Sequence, residues 1–388
     1  DEQEVVFVGQ VAERLEELVV RLDLAALRQL FPVTETAVFL NNAAESPLNT
    51  RVSRRLEEYL ELARQAPQDK PPVRESVRIT LSEMFGGCPN EYALVTSTGV
   101  GVGIAAAGYP WQAGDNLVLP ADEHWNNTFP WLALRERGVE VRLVPVGADQ
   151  RANPDAIARR VDQRTRILAA AAVRFNTGFR ADLPRLSQIA HQNQALFLVD
   201  GIQGAGVFPL NVQEAGIDIL ASAGFKWLLG MPGTGFLYVN QTAQEKIRPV
   251  LPGMFAAEDN PRELHYFDDA RRYETGTLAY ALFHAWTAGL ELLKEVGVEQ
   301  IHARVLALTD RIIAGLRARK IEIASPIEKA SERSAILAFT MGSQEANKEL
   351  YKKLMRQKII VALRDGRIRV SPNFYNNEEE IDRFLAAL

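Results

Sequence analysis

Short apolar runs alternate with amphipathic stretches between residue 90 and about residue 240. Most of these runs are apolar at every position, which is typical of strands that are buried on both faces of a sheet. Helices fit between several of them, for example over Leu183–Asn193. The alternation predicts an α/β fold with a mostly parallel sheet. Its seven predicted strands are Ala93–Thr96, Asn116–Leu119, Val139–Val144, Ile167–Val173, Leu196–Val199, Ile219–Ala221 and Gly235–Val239.

The two ends of the chain have a different pattern. Apolar residues recur at helical spacing over Val11–Leu30, opposite a charged face, and predict an amphipathic surface helix. A short strand is predicted over Ala37–Leu40. After residue 275, two long helical stretches precede several short strands, which predicts a smaller α+β domain. Its elements are helices over Tyr280–Val296 and Glu299–Ala318, strands over Ile321–Ala324, Ala335–Phe339, Ile359–Leu363 and Arg367–Val370, and a final helix from about Glu378.

Composition narrows the class of protein. The chain has 388 residues, of which 47% are hydrophobic and 24% charged, as in ordinary globular proteins. Its formal net charge is −5 and it has no basic run, so we expect neither a nucleic acid nor a membrane as partner. The N-terminal segment is acidic and lacks the basic start of a secretory signal. The single cysteine, Cys88, is typical of a reducing compartment, and we expect a cytoplasmic protein.

Two polar residues interrupt apolar segments of the predicted sheet. Asp200 ends a strand and is followed by a glycine and by Gln203. Ligands of open α/β sheets lie beyond the carboxyl ends of strands, so Asp200 could contact one, although it could also cap the next turn. Lys226 lies in an apolar run, where desolvation would lower its pKa and make it a better nucleophile. Its ammonium could instead reach water while its stem packs.

A third segment predicts a phosphate site. Ser97, Thr98 and Gly99 follow a strand and begin a helix, where free N–H groups and the positive helix end favour an anion. The spacing Gly101-x-Gly103-x-x-Ala106, with Asp122 after the next strand, also matches the dinucleotide fingerprint. An NAD-dependent dehydrogenase is therefore an alternative, and close packing of a glycine-rich helix on the strand is another.

Two further side chains are candidates for the same edge of the sheet or its surroundings. His124 follows another strand end and could stack on a planar cofactor or transfer protons, or it could lie in a surface loop. Arg369 lies in a predicted strand beside apolar neighbours. Its guanidinium could bind a substrate carboxylate through two hydrogen bonds, or it could form a structural ion pair.

Together these motifs resemble the class V aminotransferase family, which has fold type I and uses pyridoxal phosphate (PLP). The family includes cysteine desulfurases, C–S lyases and isopenicillin N epimerase-like proteins. The resemblance runs from Leu40-Asn-Asn-Ala-Ala to Tyr375-Asn-Asn-Glu-Glu-Glu-Ile-Asp, and the order Asp200, Gln203, Lys226, followed by Gly-Met-Pro-Gly-Thr-Gly, is its most specific part. It implies a large PLP-binding α/β domain over residues 31–275 and a small α+β domain formed by residues 1–30 and 276–388.

The resemblance implies a role for each matched residue near the cofactor ring. Lys226 would carry PLP as a Schiff base and then shuttle the α-proton of the substrate. Asp200 would keep the pyridine nitrogen protonated, and His124 would stack on the ring. Gln203 would donate a hydrogen bond to the phenolic oxygen, and Asn176 would contact the cofactor or the substrate carboxylate.

Other matched residues would bind the phosphate or the substrate. Ser97, Thr98 and in part Ser222 would hold the phosphate. Thr277 would reach the phosphate of the partner subunit, which implies a homodimer. Arg369 would bind the substrate carboxylate, Asn42 would contact the substrate, and no metal ion is expected.

Departures from the family pattern favour one kind of chemistry. Desulfurases usually carry Ser-Gly-His-Lys at the Schiff base, whereas this chain has Ala223-Gly-Phe225-Lys226. They also need a mobile cysteine in the C-terminal domain, and the corresponding stretch 361–369 has none. Asn176-Thr-Gly is similar to a stretch of cystine C–S lyases. We therefore expect a PLP-dependent C–S lyase, with a class V aminotransferase or epimerase as the alternative, and a PLP fold kept as a binding module as a third.

Overall fold

The computed structural model describes residues 23–260 and 262–388. Most of the helix that we predict over Val11–Leu30 lies outside these residues, and only its last part, Leu24–Gln29, is described as helical. Short apolar runs that are buried along nearly their whole length form the strands at the centre of the large sheet. The strands are β1 Val38–Phe39, β2 Tyr92–Leu94, β3 Asn116–Pro120, β4 Glu140–Val144, β5 Thr165–Ala171, β6 Leu196–Asp200, β7 Ile219–Ala223, β8 Gly235–Val239, β9 Glu322–Ile323, β10 Leu337–Thr340, β11 Ile359–Ile360, β12 Ala362–Arg364 and β13 Arg367–Val370.

A seven-stranded sheet in the order β2-β8-β7-β6-β5-β3-β4 forms the centre of the molecule. The strands from β7 to β4 pair in parallel, whereas β8 is antiparallel to both of its neighbours. All seven predicted strands are present with small shifts of their ends, and the prediction of a mostly parallel sheet is confirmed. Alternate residues of β6 enter two different apolar clusters, Phe197 and Val199 on one face and Leu196 and Leu198 on the other. Helices therefore cover both faces of the sheet.

Many of the helices begin at a polar capping residue and bury one apolar face. Asp182, for example, accepts a hydrogen bond from the backbone N–H of Arg185 and begins a helix whose Leu186 and Ile189 are buried. The helices are α1 Leu24–Gln29, α2 Val33–Thr36, α3 Thr50–Gln65, α4 Val73–Phe85, α5 Thr98–Gly108, α6 Phe129–Leu132, α7 Pro154–Ala158, α8 Leu183–Gln192, α9 Gln241–Gln244, α10 Tyr280–Val296, α11 Val298–Ala318, α12 Gln344–Arg356 and α13 Glu378–Ala386.

The C-terminal part of the chain has a four-stranded sheet of its own, in the order β12-β13-β10-β9. Its apolar face packs with residues of α11, α12 and α13, including Leu308, Leu354 and Phe384. The single strand predicted over Ile359–Leu363 is wrong, because the chain changes partner at the buried Val361. Its first half, β11, pairs in parallel with β1, and its second half, β12, pairs with β13.

The division into a large and a small domain at residue 275 stays a prediction. In the part of the chain that the structure describes, no helix is both long enough and apolar enough to cross a membrane.

Candidate functional site

A cavity of about 820 Å³ opens at the carboxyl ends of the central strands and is closed on one side by the β12–β13 hairpin. This is the edge at which open α/β sheets bind ligands. Eight of the predicted site residues line it: Ser97, Thr98, His124, Asn176, Asp200, Gln203, Lys226 and Arg369. These residues are far apart in the sequence and come together because their strands lie side by side.

Lys226 lies in the loop between β7 and β8, and only 9% of it is exposed. Its Nζ atom lies 5.6 Å from the centre of the Phe225 ring, and among the described residues nothing accepts a hydrogen bond from it. Burial lowers the pKa of the Lys226 ammonium to about 8, the charge of Arg369 adds to this effect, and Asp200 opposes it. A partly deprotonated amine in a cavity can attack a carbonyl carbon.

Asp200 is the last residue of β6 and lies next to β7, where it pairs with Ala221. Its Oδ1 atom accepts a hydrogen bond from the N–H of Ile202 at 3.0 Å. Burial raises the pKa of the Asp200 carboxyl to about 6, and the charge of Lys226 opposes this shift. The second carboxyl oxygen accepts no hydrogen bond within the described chain, so it can accept one from a protonated ring nitrogen.

The start of α5 provides an anion site with a buried hydroxyl group. Ser97 precedes the helix, and its Oγ atom accepts a hydrogen bond from the N–H of Val100 at 3.2 Å. Thr98 is 1% exposed, and its Oγ1 atom has no hydrogen-bond partner among the described residues. A buried hydroxyl without a partner costs about 1–3 kcal/mol. Together with the positive end of the helix, this unpaired donor suits a phosphate group.

His124 follows β3 and faces the cavity beside Phe175. The two ring centres are 5.3 Å apart and the rings are nearly perpendicular. The Nδ1 atom accepts a hydrogen bond from the N–H of Asn126 at 3.2 Å. Burial, followed by the charges of Lys226 and two arginines, lowers the pKa of the imidazole. This shift favours the neutral imidazole, which is the form that can accept a proton.

Two amide side chains of the cavity are held in place by the protein itself. Gln203 donates from Nε2 to the carbonyl of Ala43 at 2.9 Å and accepts at Oε1 from Trp227 Nε1 at 2.9 Å. One Nε2 hydrogen stays available for a ligand. Asn176 donates from Nδ2 to Asp365 Oδ2 at 2.8 Å, and its buried Oδ1 has no partner in the described chain.

Three predicted site residues do not line the cavity. Asn42 accepts a hydrogen bond from the Tyr375 hydroxyl at 2.7 Å and donates one to the Ser371 carbonyl at 2.9 Å. Ser222 is buried in β7, and its hydroxyl lies 3.3 Å from the Ala223 carbonyl. The geometry gives both side chains structural hydrogen bonds, and their contacts with substrate and phosphate stay predictions.

Thr277 is the third of these residues. It lies on the surface, between the 3-10 turn Ala270–Tyr273 and α10. Its predicted contact with the phosphate of a partner subunit also stays a prediction.

Glu123 is a candidate that our sequence analysis missed. It lines the cavity but is only 8% exposed. Its Oε1 atom accepts from the N–H of Ala171 at 3.1 Å, and Oε2 accepts from Asn127 Nδ2 at 3.4 Å. Burial raises the pKa of its carboxyl to about 7, and the nearby Asp200 adds to this effect. Its position directly before His124, at a strand end, was the available indication.

The family model of class V aminotransferases matches residues 38–384. The chain belongs to this family. Its membership confirms the prediction of a PLP enzyme, either a lyase or an aminotransferase.

Relatives agree with this assignment, and a solved structure has the same fold. The uncharacterized aminotransferase YcbU of Bacillus subtilis is 28% identical over 371 residues, which cover 91% of this chain and 94% of YcbU. A cysteine desulfurase of Cronobacter sakazakii is 28% identical and covers 81% of each chain. A structure of the cystine C–S lyase C-DES with its product cysteine persulfide has a TM-score of 0.85 at 24% identity and covers 92% of this chain and 98% of that one. The last similarity confirms the fold.

The dinucleotide alternative does not fit this class V aminotransferase. In the Rossmann fingerprint the first glycine forms the tight turn that precedes the helix. Here Gly101 and Gly103 lie inside α5. A Cβ atom added to Gly101 would come within 2.9 Å of the Ala221 Cβ atom, so this glycine allows the helix to pack closely on β7. Gly101 therefore serves helix packing, which was the other alternative.

Proposed function

We propose that this chain is a PLP-dependent C–S lyase that acts on S-substituted cysteines. The observation that carries the proposal is Lys226, a buried lysine with a lowered pKa and no hydrogen-bond acceptor among the described residues, in the cavity that also contains Asp200 and the start of α5. A lysine with these properties is suited to a Schiff base with an aldehyde.

The residues of the cavity suit PLP group by group. Lys226 would hold the aldehyde carbon, Asp200 the pyridine nitrogen, and Ser97 and Thr98 the phosphate. His124 would cover the ring, and Gln203 would use its spare amide hydrogen on the phenolic oxygen. When bound, PLP supplies an electron sink that stabilises negative charge at the α-carbon of an amino acid.

The side chains of the cavity then account for the proton movements and the orientation of the substrate. Arg369, whose buried Nε atom has no hydrogen-bond partner in the described part of the chain, would bind the α-carboxylate. Lys226, once released, would take the proton from the α-carbon. The Cβ–S bond breaks and the sulfur leaves with the bonding electrons, so one substrate and one water give one thiol, one pyruvate and one ammonium ion.

The position of the cysteine favours a lyase over a persulfide-forming desulfurase. Cys88 is the single cysteine of the chain. It is exposed, precedes β2 and does not line the cavity. A desulfurase needs a cysteine thiolate that attacks the substrate sulfur, and here the facing hairpin has arginines instead.

We also propose a cytoplasmic homodimer in which Thr277 reaches the partner's phosphate site. The exposure of Thr277 and its location outside the cavity of its own chain support this arrangement. The lone cysteine supports a reducing compartment.

The test is the stoichiometry of the reaction. Purified holoenzyme is incubated with a panel of S-substituted L-cysteines, and thiol, pyruvate and ammonium are measured with and without a 2-oxo acid. We expect equal amounts of thiol and pyruvate without any 2-oxo acid, no product with Lys226→Ala, and full product with Cys88→Ser. Amino transfer to the 2-oxo acid without thiol release would identify an aminotransferase, and loss of activity in Cys88→Ser would identify a desulfurase.

A further inference from the structure

Three arginines lie on one face of the hairpin that closes the cavity. Arg364 ends β12, Arg367 begins β13, and Arg369 follows two residues later. Arg364 and Arg367 are direct partners in the antiparallel register. Side chains of directly paired residues project from the same face of a sheet, as do those two residues apart on a strand. All three line the cavity, whereas Ile368 on the other face enters the apolar cluster below.

The turn of this hairpin holds the first two arginines close together. Asp365 and Gly366 both have positive φ, 48° and 74°, as expected for a two-residue hairpin turn. The turn sets the register, so Arg364 and Arg367 cannot separate along the strands. Like charges directly opposite each other destabilise a strand pair. The fold therefore places an unfavourable pair of charges at the mouth of the cavity.

Few groups in the described part of the chain neutralise this pair. Among the described residues, Arg364 makes no hydrogen bond or ion pair, and Arg367 contacts the neutral Gln150 Oε1 at 3.4 Å. The adjacent carboxylate, Asp365, accepts the hydrogen bond of Asn176. The charge of Arg364 acts on the site, since it helps to lower the pKa of Lys226.

Arg369 has a different environment. Its Nη1 atom donates to the Phe175 carbonyl at 2.6 Å, and its Nη2 lies 3.4 Å from Asn41 Oδ1. It is 2% exposed, whereas Arg364 is exposed and Arg367 half-buried. One arginine is thus fixed deep in the cavity, and two lie farther out on the same face.

We propose that the substrate carries a second carboxylate, at the end of its side chain, and that Arg364 and Arg367 bind it while Arg369 binds the α-carboxylate. This inference rests on the proposed function, because it names the class of S-substituted cysteine that the lyase accepts. A carboxylate between two guanidinium groups removes their repulsion and makes charge-assisted hydrogen bonds. A neutral side chain would leave both guanidinium groups without an ion-pair partner among the described residues and the substrate.

The first experiment compares two substrates that have the same shape and a different charge. Release of thiol is measured with S-(carboxymethyl)-L-cysteine and with S-(carbamoylmethyl)-L-cysteine. We expect kcat/KM to be about tenfold or more higher for the acid, since a tenfold ratio needs only about 1.4 kcal/mol. In Arg364→Gln and Arg367→Gln the ratio falls towards one, through a higher KM for the acid.

A matched variant controls for the loss of one positive charge. Arg317 is exposed near the end of α11 and does not line the cavity, so Arg317→Gln keeps the preference for the acid. Higher salt reduces the preference, because the two outer arginines are partly exposed to solvent. Equal kcat/KM values for acid and amide, or a preference that survives both cavity variants, would overturn the inference.

A second experiment separates this inference from the lyase reaction. Calorimetric titration of the holoenzyme with L-glutamate and with L-glutamine measures binding without any leaving sulfur. Tighter binding of L-glutamate that is lost in Arg364→Gln supports the second carboxylate site, even if no thiol is released from any substrate. Thiol release with equal affinity for the two amino acids supports the lyase and rejects the site.

Discussion

The protonation of Glu123, a residue of the candidate site, makes the stability of the protein depend on pH. The pKa of Glu123 is raised from 4.5 to about 7. Because the native carboxyl keeps its proton to a higher pH than the unfolded one, the native protein binds more protons between these two values. The free energy of unfolding therefore falls as the pH rises through this window. Asp200, with a pKa of about 6, acts in the same direction at lower pH.

Replacing Glu123 by glutamine tests this reasoning. Glu123→Gln keeps an oxygen for the N–H of Ala171 and removes the ionisation. Between pH 4.5 and 7 the free energy of unfolding of the cofactor-free wild type falls. We expect this fall to be smaller in the cofactor-free variant, by up to ~2–3 kcal/mol. The measurement is urea unfolding at several pH values, with Glu57→Gln, an exposed residue of α3, as control. The same pH dependence in both variants and the wild type would contradict the shifted pKa.

For single residues, the sequence predicts which side chains lie at strand ends. It does not predict their hydrogen-bond partners. Lys226, Asp200, Thr98 and His124 reach one cavity because a parallel sheet brings strand ends together. The hydrogen bonds of Asn42 depend on residues more than three hundred positions away, so its structural role was not visible in the sequence.

Helix α5 shows how a single element combines packing with binding. Its N-terminus carries the phosphate candidates, and its glycines face different surroundings. An added Cβ atom at Gly101 would meet Ala221 of β7 at 2.9 Å, whereas at Gly103 it would meet nothing within 4 Å. The same spacing that suggested a dinucleotide site thus contains one glycine that packing requires and one that it does not.

This difference gives a prediction with a built-in control. Gly101→Ala forces α5 away from the sheet and should lower the free energy of unfolding by about 1–3 kcal/mol. Gly103→Ala should raise it by about 0.5–1 kcal/mol, because alanine favours a helix more than glycine does. Urea unfolding of both variants checks this. Equal effects of the two changes would show that α5 does not pack on β7 as described.

The β12–β13 hairpin shows what the sequence pattern does not predict about secondary-structure elements. The apolar run from residue 359 to 363 predicts one strand, but tertiary pairing divides it between two sheets. The spacing of apolar residues indicates which positions are buried, but it does not indicate which strand pairs with a given run. The direct pairing of Arg364 with Arg367 is recognised only once the register of the hairpin is known.

For the whole molecule, the pattern of the chain predicts the architecture well. Seven apolar runs with helices between them suffice for a covered, mostly parallel sheet, because burial on both faces leaves few other arrangements. The antiparallel direction of β8 was not predicted, since a short connection after β7 is compatible with several pairings. The substrate is harder to predict from the sequence, because its binding depends on side chains of the sheet edge and of the hairpin together.

Lys226 is the residue that we propose to hold PLP. The most direct measurement is to load the purified protein with PLP, reduce it with borohydride, and locate the modified lysine by mass spectrometry of its peptides. We predict one phosphopyridoxyl group per chain, on Lys226, and none in Lys226→Ala. A modified lysine elsewhere, or a protein that binds PLP equally well without Lys226, would contradict this role of Lys226.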